Sequence, residues 1–340
     1  MLQPARFYTG ENDKIRCLLC PRRCLIGEGH TGFCGVRRVE KGELYTENYG
    51  FCAALQWDPI EKKPLYHFYP GRQILSVGTY GCNLRCSFCQ NWSLVLGRPE
   101  ADDRRLSPEE LLALLQRAGG PDEVVGMAYT YNEPTIWYEY VAETARLLHE
   151  HGYRNVLVTN GYISPEPLVE LLPYIDAMNI DVKAFNDSFY EQHCRGRRGP
   201  VLETVALAAA SVHVEVTALL IPTLNDCPEE LARLSSWLAG IDPEIPLHFS
   251  RYFPQHRMSL PPTSPETMLA AREIALEKLH YVYLGNIEIA GSADTRCPRC
   301  GNLLIARSLY QIRMPGLRDN RCLKCGTAIN LWPAPPGKRA

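Results

Sequence analysis

The reading of this chain turns on Cys82-Asn83-Leu84-Arg85-Cys86-Ser87-Phe88-Cys89, three cysteines at C-x3-C-x2-C spacing with an aromatic residue just before the third. The loop follows an apolar, strand-like run, Gln73-Ile74-Leu75-Ser76-Val77-Gly78. Three soft thiolates on one tight loop suit an iron-sulfur cluster, because a [4Fe-4S] cube takes cysteine ligands and normally four of them. The local run supplies three and stops, which leaves one iron open to a small molecule. A zinc site or a set of buried thiols is the alternative, since C-x2-C pairs are commoner as zinc knuckles. The x3-then-x2 spacing with Phe88 favours the cluster.

Composition bounds what surrounds this loop. A chain of 340 residues holds one large domain with an appended module, or two ordinary domains. Hydrophobic residues at 46% and charged residues at 22% are ordinary globular usage, and a net charge of −2 gives no whole-chain attraction to nucleic acid or an anionic membrane. Residues Met1 to Arg6 carry no apolar signal-like segment, and no stretch reaches the ~18 to 20 apolar residues of a membrane span, so a cytoplasmic protein without a membrane partner is expected. The fourteen cysteines fall in short-range groups that suit one metal each, which fits a reducing compartment better than a disulfide framework. The isolated Cys194 and Cys227 read as unligated thiols.

Upstream of the loop lies a second group, Cys17, Cys20, Cys24 and Cys34, followed by a lone Cys52. Gly27, Gly29, Gly32 and Gly35 let so short a segment fold back on itself, and four thiolates can close a metal site. Zinc would make this lobe structural; an auxiliary iron-sulfur cluster would make it a relay or a substrate anchor. From Glu43 to Gly71, short alternating runs broken by Pro59, Pro64 and Pro70 read as a small β connection in which His67 is a packed residue.

Downstream, strand and helix signals alternate. Strands are expected at Gln73 to Gly78, Val124 to Tyr129, Asn155 to Val158, Ala177 to Val182, Val212 to Leu220, Leu247 to Tyr252 and Tyr281 to Leu284. Helices are expected from Ser107, with a capping box to Glu110, and over Ile136 to His149, Ser164 to Leu172, Pro228 to Leu238 and Ser264 to Leu279. Repeated β-then-α units imply a parallel sheet, and six or seven of them favour a full or partial TIM-type (β/α) barrel over a doubly wound sheet. Chemistry in such folds sits at the C-terminal ends of strands. Polar residues collect there: Asn132 and Glu133 after the second strand, Asn160 after the third, Asp181 and Lys183 after the fourth, and His248 on the sixth. Asp181 with Lys183 also fits a plain ion pair, and His248 a packed core histidine.

These motifs resemble the activating-enzyme branch of the radical S-adenosylmethionine (SAM) superfamily, typified by the pyruvate formate-lyase activating enzyme. The carrying residues are Cys82, Cys86 and Cys89, then Asn91 two residues on, Glu133-Pro134, Thr159-Asn160-Gly161, Asp181 with Lys183, and His248. Tyr131-Asn132 stands where the branch has a glycine pair, and Val158 where it has an aspartate. The runs Cys17 to Cys24, Asp58 to Leu65 and Cys89-Gln90-Asn91-Trp92 are closer still to the AmmeMemoRadiSam subgroup of radical SAM enzymes. The resemblance implies a partial (β/α)6 barrel and an oxygen-sensitive, anaerobic oxidoreductase. It also implies a [4Fe-4S] cluster on Cys82, Cys86 and Cys89, and SAM bound by Asn91, Asn132, Glu133, Asn160, Asp181, Lys183 and His248. Reductive cleavage of SAM would yield a 5'-deoxyadenosyl radical that abstracts hydrogen from a protein, such as a glycyl-radical enzyme, or from a small molecule. Implied partners are a flavodoxin- or ferredoxin-like one-electron donor and a Memo-type protein with its associates.

The last cysteine group is Cys297-Pro298-Arg299-Cys300-Gly301 and Cys322-Leu323-Lys324-Cys325-Gly326, two C-x2-C-G knuckles separated by 21 residues. They predict a zinc-ribbon or rubredoxin-like module holding zinc, or a single iron, on four sulfurs. From Arg296 onward nine Lys or Arg face one acid, Asp319, a balance suited to an acidic protein or RNA. Trp332 to Gly337 reads as a flexible tail. The expected organisation is therefore 1–70 as a Cys-rich lobe with its β connection, 71–290 as the barrel, and 291–340 as the ribbon and tail. The competing function is a non-catalytic, metal-stapled scaffold that binds RNA or a protein through its basic ribbon.

Overall fold

Alternating apolar strands and capped helices build one eight-stranded sheet in a computed structural model that describes residues 2–97, 105–308 and 310–333. Its strands are β1 (Ala54–Pro59), β2 (Gln73–Gly78), β3 (Gly126–Tyr129), β4 (Arg154–Thr159), β5 (Ala177–Asp181), β6 (His213–Leu220), β7 (Leu247–Arg251) and β8 (Val282–Gly285). They lie side by side in chain order, with β1 and β8 at the two edges. β2 through β8 run parallel, and β1 pairs antiparallel with β2. The crossovers are α1 (Pro108–Ala118), α2 (Tyr138–Glu150), α3 (Pro165–Leu171), α4 (Gly199–Ala209), α5 (Pro228–Ile241) and α6 (Pro265–Leu276). Sequential order with right-handed crossovers puts every helix on one face. The opposite face is left to the interior.

Local chemistry starts these helices where the sequence reading places them. Ser107 Oγ accepts the Glu110 amide at 3.2 Å while Glu110 returns a carboxylate to the Ser107 amide at 2.7 Å. Pro108 sits at the first turn, where its missing N–H costs nothing. Leu111 and Leu115 then fall on the buried stripe, each contributing about 1.5–3 kcal/mol of burial. Ser264 caps α6 the same way through the Thr267 amide.

On the interior face, Ile74, Ala128, Val156 and Ala177 are covered by Ile60, Leu65 and Phe68 from the segment between β1 and β2. This segment forms a floor under the N-terminal strand ends. Two expectations change here. Ala54–Pro59, assigned to the N-terminal unit, is an edge strand of the main sheet, because an antiparallel partner needs only the short Ile60 to Arg72 return to reach β2. Helix α4 has no counterpart in the sequence reading; its run Val201 to Ala209 is apolar apart from Glu203 and Thr204, so it shows little contrast between faces.

The C-terminal residues are tied to the same floor. Trp332, read as the start of a flexible tail, donates its amide to His67 O at 2.8 Å and accepts from the Tyr69 amide at 2.8 Å. Residues 334–337 of that expected tail lie outside the described residues. Arg307, counted among the basic surface residues, is buried: its guanidinium donates to Tyr66 O at 2.7 Å and Thr295 Oγ1 at 2.7 Å, clamping the ribbon to the floor. No helix among the described residues is long and apolar enough to cross a membrane.

Candidate active site

The C-x3-C-x2-C loop leaves the C-terminal end of β2 and, besides its own turn from the Cys89 amide to Cys86 O at 3.2 Å, is held by groups from across the fold. Arg85 and Ser87 donate their amides to Cys194 O at 2.9 Å and His193 O at 2.8 Å, and Arg257 donates its amide to Ser87 O at 2.9 Å. Cys82 donates its amide to Cys34 O at 3.3 Å. Arg85 turns its guanidinium back onto Cys82 O at 2.6 Å and across to Phe33 O at 2.5 Å.

The strand-end residues converge on this loop. Asn160, after β4, donates to Cys82 Sγ at 3.5 Å and to Asn83 Oδ1 at 2.9 Å. Asn132, after β3, accepts the Thr79 amide at 3.1 Å and donates to Gly81 O at 3.1 Å, gripping the segment that leads into the loop. Asn91 donates to Tyr131 O at 2.7 Å. Glu133 is buried and holds the ends of β3 and β4 together: its oxygens accept from Thr159 Oγ1 at 2.7 Å, the Asn160 amide at 2.8 Å and the Thr135 amide at 2.9 Å. Burial pushes its carboxyl above the usual range against the pull of those donors. Glu133 therefore shapes the rim.

Asp181 and Lys183, at the end of β5, form an ion pair at 2.6 Å, with side chains 35% and 15% exposed. Burial opposes the charge on Lys183, but Asp181 and the nearby Cys86 outweigh it and hold the ammonium firmly protonated. A fixed cation beside a thiolate loop favours negative charge there.

His248 is not brought to this rim. It is the second residue of β7, and its Nε2 lies 2.6 Å from Glu215 Oε2 in a buried cluster above the floor. Glu215 also accepts from the Tyr66 and His67 amides at 3.0 and 2.7 Å and meets His213 at 3.0 Å. Burial alone would raise Glu215, yet the hydrogen bonds from His213 and His248 hold it well below the ordinary carboxylate range. The parity that puts His248 on the interior face was readable; its depth along the strand was not, because Glu215 lies on a different strand. His67 is packed as expected, between Tyr283 Oη at 2.7 Å and Asn330 O at 3.0 Å.

Several contributors escaped the sequence reading. Asn83 and Arg85 lie inside the cysteine loop, where the spacing alone gives them no role. Cys194, taken as isolated, is buried beside Cys86, brought there by the turn after β5.

The C-terminal knuckles differ in kind. Cys297 Sγ lies 3.6 Å from Cys325 Sγ, and Cys300 Sγ 3.7 Å from Cys322 Sγ. With metal–sulfur bonds of about 2.3 Å, a tetrahedral ion sets its sulfurs roughly 3.8 Å apart, so this site is formed for one ion. Gly301 and Gly326 adopt φ of +69° and +72°, the left-handed turns that let each knuckle close. Among the described residues, these four cysteines are the group of potential ligands whose atoms all lie within 4.8 Å of one another. The sulfurs of Cys82, Cys86 and Cys89 are not gathered in that way. That donor set does not fit a single ion and does fit a cube, in which each thiolate bonds a different iron.

Comparison with known proteins agrees with the geometry. The model of the Radical SAM superfamily matches residues 76–235, from within β2 into α5. An uncharacterized protein of Methanocaldococcus jannaschii is 43% identical over 92% of this chain and 94% of its own length. The pyruvate formate-lyase-activating enzyme of Clostridium pasteurianum is 28% identical over 47% of this chain and 67% of its own. A radical SAM methyltransferase structure from Sphaerobacter thermophilus aligns at a TM-score of 0.49 and 17% identity, covering 89% of this chain and 81% of that one. With its three-cysteine loop buttressed by the ends of the neighbouring parallel strands, the chain belongs to the radical SAM superfamily.

Proposed function

We propose that this protein is a radical SAM enzyme of the activating-enzyme type that generates a 5'-deoxyadenosyl radical and abstracts hydrogen from a protein or small-molecule substrate. The observation that carries the reading is Asn160, which ties the end of β4 directly to Cys82 Sγ. A scaffold that merely binds a partner has no use for a strand-end amide aimed at a cysteine sulfur.

Cys82, Cys86 and Cys89 would hold a [4Fe-4S] cluster, which would supply the electron that cleaves SAM to methionine and the 5'-deoxyadenosyl radical. The chain's own groups prepare that site. Asn132 and Asn160 fix the loop from both sides, and Glu133 keeps the β3 and β4 ends in register. Lys183 offsets the negative charge of the thiolates, and the part-exposed Asp181 can accept from the hydroxyl or ammonium groups of SAM. Asn91 steadies the Tyr131 turn at the mouth.

The electron would come from a flavodoxin- or ferredoxin-like donor. The subgroup resemblance supports a Memo-type partner, and the ribbon's four sulfurs support zinc or a single iron as its structural ion. The test is anaerobic incubation of the iron-loaded protein with dithionite and SAM. Formation of 5'-deoxyadenosine supports the proposal, and its absence from protein with an intact cluster rejects it.

A further inference from the structure

We infer that Cys17, Cys20, Cys24 and Cys34 hold a second [4Fe-4S] cluster, packed directly against the catalytic loop and able to pass electrons to it. The argument begins with the three cysteine groups of this one chain. All four N-terminal cysteines wall a single cavity. Yet the group whose ligand atoms gather within 4.8 Å, among the described residues, is the C-terminal one. A tetrahedral ion would draw the N-terminal sulfurs to the spacing of roughly 3.8 Å that the knuckles already approach. Instead they surround a space, each of the four lining the same cavity. A cube, which bonds each thiolate through a separate iron, is the group that fills such a space.

The cavity wall also carries charge that four thiols would not call for. Arg22 and Arg37 both line it. Arg37 is 1% exposed, its Nη1 lies 3.9 Å from Cys17 Sγ, and its Nε has no hydrogen-bond partner among the described residues. It is paired with Glu139, whereas Arg22 donates to the backbone carbonyls of Asn83 and Arg195. A [4Fe-4S] core with four thiolates is a buried dianion in its oxidised state, and such a group wants cations around it.

Contact with the catalytic loop is direct. Asn83 lines the N-terminal cavity and adjoins Cys82, and the Cys82 amide donates to Cys34 O at 3.3 Å. Gly81 permits this approach: at φ +85°, a Cβ there would meet Cys34 O and Val36 Cγ1, each at 2.8 Å. A ligand of one site is thus hydrogen-bonded to a ligand of the other. In the relay, a flavin- or iron-sulfur-containing carrier takes the N-terminal cluster from the 2+ to the 1+ state. That cluster returns to 2+ as it passes the electron to the catalytic cluster, which goes from 2+ to 1+. The relay rests on the radical SAM reading; the cluster assignment does not.

The test uses full-length protein purified without air and not reconstituted. A Cys82→Ala/Cys86→Ala/Cys89→Ala chain should retain about four irons and about four sulfides, besides the ribbon's ion, while losing SAM cleavage. Zinc in place of that iron, or no metal beyond the ribbon's, overturns the assignment whatever the outcome for SAM cleavage. Cys20→Ala/Cys24→Ala should remove about half of the wild-type iron and sulfide, and unchanged iron overturns it too. Electron paramagnetic resonance of the dithionite-reduced wild type should be broader than the sum of the two variant spectra, because neighbouring reduced clusters couple magnetically. A spectrum equal to that sum overturns the relay.

Discussion

The C-terminal knuckles and the Cys82 to Cys89 loop are both short runs of closely spaced cysteines, and they are organised in opposite ways. Each knuckle is closed by its own backbone: Gly301 donates its amide to Cys297 O and Gly326 to Cys322 O, at 2.9 and 2.8 Å. The paired turns bring four sulfurs to the spacing of one ion. The catalytic loop instead takes its shape from Asn132, Asn160, Cys34 and the turn at His193 and Cys194, which are spread through the chain. A metal site that only staples can be local. One that must keep a coordination position open has to be held apart by the rest of the fold.

Removing a sulfur from each region should separate them most clearly. Cys86→Ala should reduce 5'-deoxyadenosine formation to background. Cys322→Ala should release the ribbon's ion and lower stability by about 3 kcal/mol or more in denaturant titration, yet leave 5'-deoxyadenosine formation within about threefold of wild type. Equal loss of cleavage in both variants would erase the distinction.

A smaller effect is expected at the rim. Glu133→Gln keeps the shape of a side chain that accepts three hydrogen bonds but turns an amide nitrogen toward the Asn160 or Thr135 backbone amide, which only donates. We expect a loss of about 1–3 kcal/mol, measured by denaturant titration, together with weaker SAM binding. An unchanged variant would show that the β3 and β4 ends do not need this tie.

The smallest effect, about 1–2 kcal/mol between pH 6.5 and 5, belongs to the floor. Burial holds the His67 imidazole neutral, lowering its pKa to about 3 from an ordinary value near 6.5. The unfolded chain therefore takes up a proton that the folded chain refuses. His67's contribution is complete above about pH 6.5 and is lost progressively as pH falls from there toward 3, by about 1 kcal/mol per pH unit. His67→Gln should flatten that part of the stability curve. A variant whose stability runs parallel to wild type between pH 6.5 and 5 would place the titration elsewhere.

Much of this was readable from residue order. Ser107-Pro108 and Ser264-Pro265 mark helix starts through chemistry contained in four residues, and the strand runs from Ala177 and Leu247 are apolar enough to announce themselves. The cysteine spacing likewise distinguished the loop from the knuckles. What escaped depends on partners distant in sequence. Arg307 looks like any surface arginine until Tyr66 O and Thr295 Oγ1 are beside it. His248 looks like a rim residue until Glu215 claims it, and Cys194 looks solitary until the turn after β5 delivers it to Cys86.

The backbone exchange between Tyr69 and Trp332 has a consequence for the order of assembly. During synthesis the seven parallel strands and their helices emerge well before residue 332, but the floor beneath them lacks its last crosspiece until then. Domains form largely as the chain appears, and contacts of long sequence separation come late. The sheet should therefore pass through an interval in which its catalytic rim is built while the Phe68 side of its interior still meets solvent.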